Sequence, residues 1–154
     1  MAANTGRTVG RWTEVHLDDS GGTLNKLQGV QSINGVGLDY AEEDVTSFVD
    51  ACKTALPGTP DCKVELAGVL DTTATVGAHI VLSGVAGLGT PLSFDVRFGV
   101  RHAWESGEPQ FGITSGAASG VLCTKYVVDG EGKWSASLVV YGVTAPAWGT
   151  TAET

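Results

Sequence analysis

Basic residues are scarce and scattered. Nine Lys and Arg stand against 17 Asp and Glu, a formal net charge of −8 over 154 residues. Nucleic-acid affinity comes from cations that displace condensed counterions from phosphate. Here Arg7, Arg11, Lys26, Lys53, Lys63, Arg97, Arg101, Lys125 and Lys133 form no basic run. Ordinary DNA or RNA binding is therefore not expected, nor is adhesion to an anionic membrane. No apolar run approaches the length of a membrane span. The start, Met1 to Gly6, lacks the apolar core of a secretory signal, so the chain is expected to be made and kept in a cytoplasm, or to leave by a route other than secretion. Cysteines number three, Cys52, Cys62 and Cys123. An odd count makes a disulfide framework a poor expectation; a Cys52–Cys62 bridge is conceivable, and the ordinary reading is three reduced thiols. Proline appears five times and methionine once.

Glycine is abundant, with 22 residues, about twice average usage. The apolar fraction of 42% is ordinary and the charged fraction of 17% is low, which excludes disorder over most of the length. The length suits one domain. We expect a flexible N-terminal arm over 1–10, a single β-rich domain over 11–143 and a C-terminal tail over 144–154.

Period-two patterning carries the fold assignment. Leu92, Phe94, Val96, Phe98 and Val100 alternate with Ser93, Asp95, Arg97 and Gly99. Residues 62–70 alternate likewise, with Val64 and Leu66 inward and Lys63 and Glu65 outward. The runs 121–128 and 133–143 are rich in β-branched and aromatic residues, and Asp129-Gly-Glu-Gly132 between them reads as a hairpin turn. Further strands are expected at 11–17, 28–36 and 74–85, with loops at 84–89 and 105–120. One stretch reads differently. Ala41, Val45, Phe48, Val49, Cys52, Ala55 and Leu56 fall on one helical stripe. Asp39 and Glu42 stand as a capping box, and Pro57-Gly58 as a stop. The expected fold is mainly β, an antiparallel sandwich or barrel-like sheet with one helix over 40–56 packed on it.

The sequence nominates no catalyst. His16, His79 and His102 lie in separate predicted strands, and Cys123 sits at a packing position between Leu122 and Thr124. No paired donors have metal-ligand spacing, and Asp18-Asp-Ser-Gly21 lacks the oxygen spacing of a calcium loop. Gly84, Gly87 and Gly89 precede a strand, not the helix that a dinucleotide site requires. No enzyme activity, cofactor or metal is expected. Trp12, Trp104, Trp134 and Trp148 could stack on sugars, though core edges and subunit contacts are commoner roles. An acidic, site-poor β domain is expected to work by touching other proteins.

Several short motifs, in order, carry a resemblance. Val15-His-Leu-Asp-Asp-Ser-Gly-Gly-Thr-Leu24, Asp44-Val-Thr-Ser-Phe48, Leu56-Pro-Gly-Thr-Pro-Asp61, the late hairpin with Val127-Val-Asp-Gly130 and Trp134-Ser-Ala-Ser-Leu138, and the Gly142 to Pro146 exit are those motifs. Over residues 11–149 the chain resembles the phage tail tube (major tail) proteins of long-tailed bacteriophages. The resemblance implies a structural virion protein that is assembled in the host cytoplasm. Its hexameric rings would stack into a tube, with strands of every subunit joined in one inner barrel. DNA would pass through the tube without specific binding, and other tail proteins (tape measure, terminator, tip) would be partners. It makes 44–61 the candidate inter-subunit segment, with Asp44, Val45, Thr46, Phe48, Leu56 and Pro57 as subunit contacts. A bore that must not hold phosphate makes Glu65, Asp71 and Asp95, read as lying on wet strand faces, the candidate lumen-facing acids. The alternatives are a capsid decoration or cement protein, and a carbohydrate-binding β-sandwich using Trp104 and Trp134.

Overall fold

The computed structural model describes residues 5–154; the first four residues of the expected N-terminal arm lie outside the described residues. A 3-10 turn at Gly10–Trp12 leads into β1 (Thr13–Asp18), and β2 (Leu24–Lys26) returns beside it. The Asp19 carboxylate accepts from the amides of Gly21 and Thr23 and so closes the intervening turn. Next come β3 (Val30–Asn34), β4 (Asp39–Asp44), β5 (Ala55–Asp61) and β6 (Lys63–Val69), then α1 (Ala78–Val85). The chain ends with β7 (Phe94–Phe98), β8 (Gln110–Ile113), β9 (Ser119–Val128), β10 (Lys133–Gly142) and β11 (Ala147–Gly149).

Two antiparallel sheets face each other. One has the order β11-β8-β7-β1-β2 and the other β3-β6-β10-β9. Alternation places Val15, Leu17, Phe94, Val96, Phe111 and Ile113 inward from the first. Val64, Leu66, Ala136, Leu138 and Trp134 point inward from the second. Each buried Val, Leu, Ile or Phe among them contributes about 1.5–3 kcal/mol relative to exposure. Trp134 also satisfies its indole, whose N–H donates to the Val69 carbonyl at 2.8 Å.

The fold class is as expected, but its helix lies elsewhere. Residues 74–85, expected as a strand, contain α1. The stripe that buries is Ala78, Val81, Leu82 and Val85, a helical spacing. No side chain caps the helix start. Its first amides instead donate to backbone carbonyls, Ala78 N to Gln28 O and His79 N to Asp71 O. This close approach requires Gly77, since a Cβ there would lie 2.5 Å from the Asp71 carbonyl. Tertiary packing, which local patterning does not reveal, therefore sets the helix.

The helix expected over 40–56 is a β-hairpin. β4 and β5 pair with each other and with neither large sheet. The capping-box residues Asp39 and Glu42 lie on β4. No surface is there for an apolar helical stripe to pack on, so nothing offsets the mediocre helix propensity of Val45, Thr46 and Val49. The expected loop 105–120 also contains β8. The stretch 144–154, read as lacking periodicity, contributes β11 to the edge of the first sheet and then crosses its outer face. There Glu153 N donates to Asp95 Oδ2 at 3.1 Å, and Ser93 Oγ donates to the Thr154 carbonyl at 2.7 Å. All three cysteines are free, Cys52 exposed and Cys62 and Cys123 buried, where burial pushes both thiols up.

Candidate assembly surface

The β4–β5 hairpin is an arm. Every residue of β4 is exposed, and β5 is covered only in part. A two-stranded ribbon is marginally stable alone in water, so the tip holds itself together. Asp44 Oδ1 accepts from Thr46 N at 2.9 Å and Thr46 Oγ1 at 2.6 Å. Thr54 N donates to Thr46 Oγ1 at 2.8 Å, and Ser47 N to Asp50 Oδ2 at 2.7 Å. The Thr46 hydroxyl, and after it the Thr46 amide, holds the Asp44 carboxyl below its usual range. Asp44 and Thr46 therefore shape the tip. What the tip presents is apolar: Phe48 is fully exposed, Val49 is 91% exposed, and Val45 and Leu56 are about half exposed. Exposed apolar clusters of this kind are candidates for contact surfaces. The six sequence-nominated contact residues thus come together on one projecting element, Pro57 included at the start of β5.

The second feature is a pair of open edges. In the four-stranded sheet, β3 and β9 are outermost. The start of β9 is engaged through the Leu92–Val121 bridge and the Gly87 N to Cys123 O bond. From Thr124 to Val128 its outer side pairs with no strand among the described residues. Beside the β3 edge, a cleft of about 430 Å³ opens between the two sheets, lined by Val15, Leu27, Val30, Ile33 and Phe98. Glu14 and Lys26, which also line it, are ion-paired with each other at 3.1 Å.

The nominated acids separate into three situations. Glu65 is where the alternation put it, on the outer face of the four-stranded sheet, with its side chain 55% exposed and 3.6 Å from the Lys63 ammonium. Asp71 is not on a strand. It lies between β6 and α1, where its carboxylate accepts from Thr73 N at 2.8 Å and closes a turn, and the Thr73 side chain and amide hold it below its usual range. Asp95 must be corrected. It faces outward from β7, as alternation requires, but is wholly buried beneath residues 150–154 and bonded to Arg97 Nε at 2.7 Å. It is a structural anion, not a wet one. Sequence reasoning missed Asn34, Ser137 and Lys125, which share the outer face with Glu65. Their outward positions were visible in the period-two runs, but the strand order that makes them neighbours was not.

The titratable groups offer little chemistry. His16 lies 3.2 Å from Glu14, and burial pushes its imidazole below the usual range. His79 Nδ1 contacts the Tyr126 hydroxyl at 2.9 Å, and His102 Nε2 lies 2.9 Å from Glu108. Among the described residues no group of three His, Cys, Asp or Glu is placed to hold a metal ion.

No protein-family model matches the sequence, and no curated protein matches it. Solved structures do match. A chain of the PVC sheath/tube terminator, from an extracellular contractile injection system in the extended state, is similar at TM-score 0.64. It has 10% identity and covers 96% of this chain and 99% of that one. A chain of the PVC sheath-tube complex gives 0.60 at 10% identity, covering 94% and 93%. A chain of the virion of a native gene transfer agent particle gives 0.59 at 19% identity, covering 93% and 99%. The protein therefore shares, over nearly its whole length, the fold of components of contractile injection systems and gene transfer agent particles.

Proposed function

We propose that this chain is a tail tube subunit, a structural virion protein whose copies close into rings that stack into a hollow conduit for DNA. The observation that carries the reading is the four-stranded sheet in which, among the described residues, the outer side of β3 and the Thr124–Val128 half of β9 are open. Its strands alternate in direction, so β3 and β9 run opposite ways. A rotation about an axis along the strands preserves each direction. The β9 edge of one copy therefore meets the β3 edge of the next as an antiparallel pair, and every seam is alike. Closure also removes the edges that a sheet otherwise has to protect. Six copies would supply about 24 strands, enough for a barrel with an open bore.

The exposed arm supports the same reading. Its apolar tip has no seat among the described residues, and the cleft beside β3 on a neighbouring copy is large enough to receive Phe48. Similarity in fold to a chain of a gene transfer agent tail with C6 symmetry (TM-score 0.55, 20% identity) adds weight to six copies. Negative-stain electron microscopy of the concentrated protein is the test. Rings or hollow tubes are expected; a strictly monomeric protein at high concentration overturns the proposal.

A further inference from the structure

The outer face of the four-stranded sheet contains a polar row that spans its full width. Asn34 on β3 is opposite Glu65 on β6, Glu65 is opposite Ser137 on β10, and Ser137 is opposite Lys125 on β9. The row begins at one open edge and ends at the other. Neighbouring strands are about 4.8 Å apart, so Glu65 and Lys125 of the same chain are separated by about 10 Å of backbone with a serine between them. Lys125 makes no ion pair among the described residues, whereas Glu65 has only the loose, solvent-facing contact with Lys63. The flanking row, Ser32–Ala67–Ser135–Val127, contains no charge.

We infer that Lys125 binds the Asn34 and Glu65 side chains of the adjacent copy and so sets the register of the subunit seam. The inference rests on the ring-forming reading above and goes beyond it. In a seam with Lys125 opposite the next copy's Asn34, the ammonium is one strand from an amide oxygen and two strands from a carboxylate. Both lie within the reach of these long side chains. Sliding β9 by two residues places Lys125 opposite Ser32 and next to Ala67, which offers no anion. Sliding it by one turns the lysine to the opposite face of the sheet. Charge complementarity thus selects one register out of those that backbone pairing alone allows. The row then repeats around the barrel as a belt of alternating charge and hydroxyl groups with no net charge. A wall of that kind neither grips nor strongly repels phosphate.

The test compares the native chain with Lys125→Glu, Glu65→Lys and the double exchange. Both side chains are exposed, so thermal melts of the monomers should stay within a few degrees of native. Each single exchange is expected to raise the concentration needed for ring or tube formation at least tenfold, and the double exchange to restore it. A second readout fixes the register. Asn34→Cys with Lys125→Cys, in a Cys52→Ser background, is expected to give a ladder of disulfide-linked oligomers on oxidation. Native tubes together with unaffected single variants, an unrescued double exchange or no ladder would overturn the seam and leave the tube standing. A native chain that never assembles overturns both.

Discussion

Single residues in this chain show that facing outward and being wet are different properties. Glu14, His16, Asp95 and Arg97 all project from the outer face of the first sheet, yet Asp95 is buried and His16 largely so. A period of two states which side of a strand a residue takes. It does not state what the chain lays over that side 55 residues later, and that is why Asp95 was misread and Glu65 was not. The burial has a pH consequence. Burial lowers the His16 pKa, so the unfolded chain binds a proton that the folded chain refuses. Stability from this group is then present above the unfolded histidine pKa of about 6.5 and is lost as pH falls below it. Glu14 adds to this at lower pH. Its burial raises its pKa, but bonds from Lys26 and His16 outweigh that and leave the carboxyl lowered, so its contribution disappears as pH falls through the carboxylate range. Thermal melts should show the midpoint dropping from about pH 6.5 downward, and His16→Gln should flatten the upper part of that drop. At Trp134, truncation to alanine removes a fully packed ring and the indole bond to Val69. We expect a loss of about 3–5 kcal/mol in denaturant unfolding.

At the scale of elements, Phe94–Phe98 and Lys63–Val69 were legible because apolar and polar side chains alternate along them, and the β9–β10 hairpin because its two runs are rich in β-branched and aromatic residues around a glycine turn. Two misreadings share one cause. The apolar stripe of residues 41–56 and the alternating run of 74–85 are both ambiguous patterns, and the deciding factor is the presence of a packing partner. α1 has one in β9, while β4 and β5 pair only with each other among the described residues. Apolar spacing reports burial, and for the arm the proposed tube would supply that burial through a contact with another copy. Phe48→Asp should therefore leave the monomer's melting point nearly unchanged, since the native side chain touches little, and should abolish tube formation in electron micrographs. Loss of fold instead of assembly would show that the arm packs on its own domain. The segment was legible as one unit, but the division of its nominated residues into those that shape the tip (Asp44, Thr46) and those it exposes (Val45, Phe48, Leu56) needed the hydrogen bonds.

For the whole molecule, the net charge of −8 matters through repulsion between copies. Salt screens exposed charge over about 8–10 Å, so tube formation by a chain this acidic should begin at lower protein concentration as ionic strength rises. Light scattering against salt concentration measures this directly. The trend should weaken at high salt, where the Lys125 seam is screened in turn. A flat or inverted salt dependence would place the acids away from the contacts. The acidity was plain from composition. The balance of charge on the outer face of the four-stranded sheet was not, because Glu65 and Lys125 are brought into one row only through strand order.

The projecting arm also gives the free protein a vulnerable point. Its tip, with Phe48 and Lys53 open to solvent, offers chymotrypsin and trypsin cutting sites. In the proposed tube the tip is seated on a neighbour and those sites would be covered. A nicked fraction measured over time would then count the subunits not yet incorporated, and a cell that clears stray copies has an obvious place to begin.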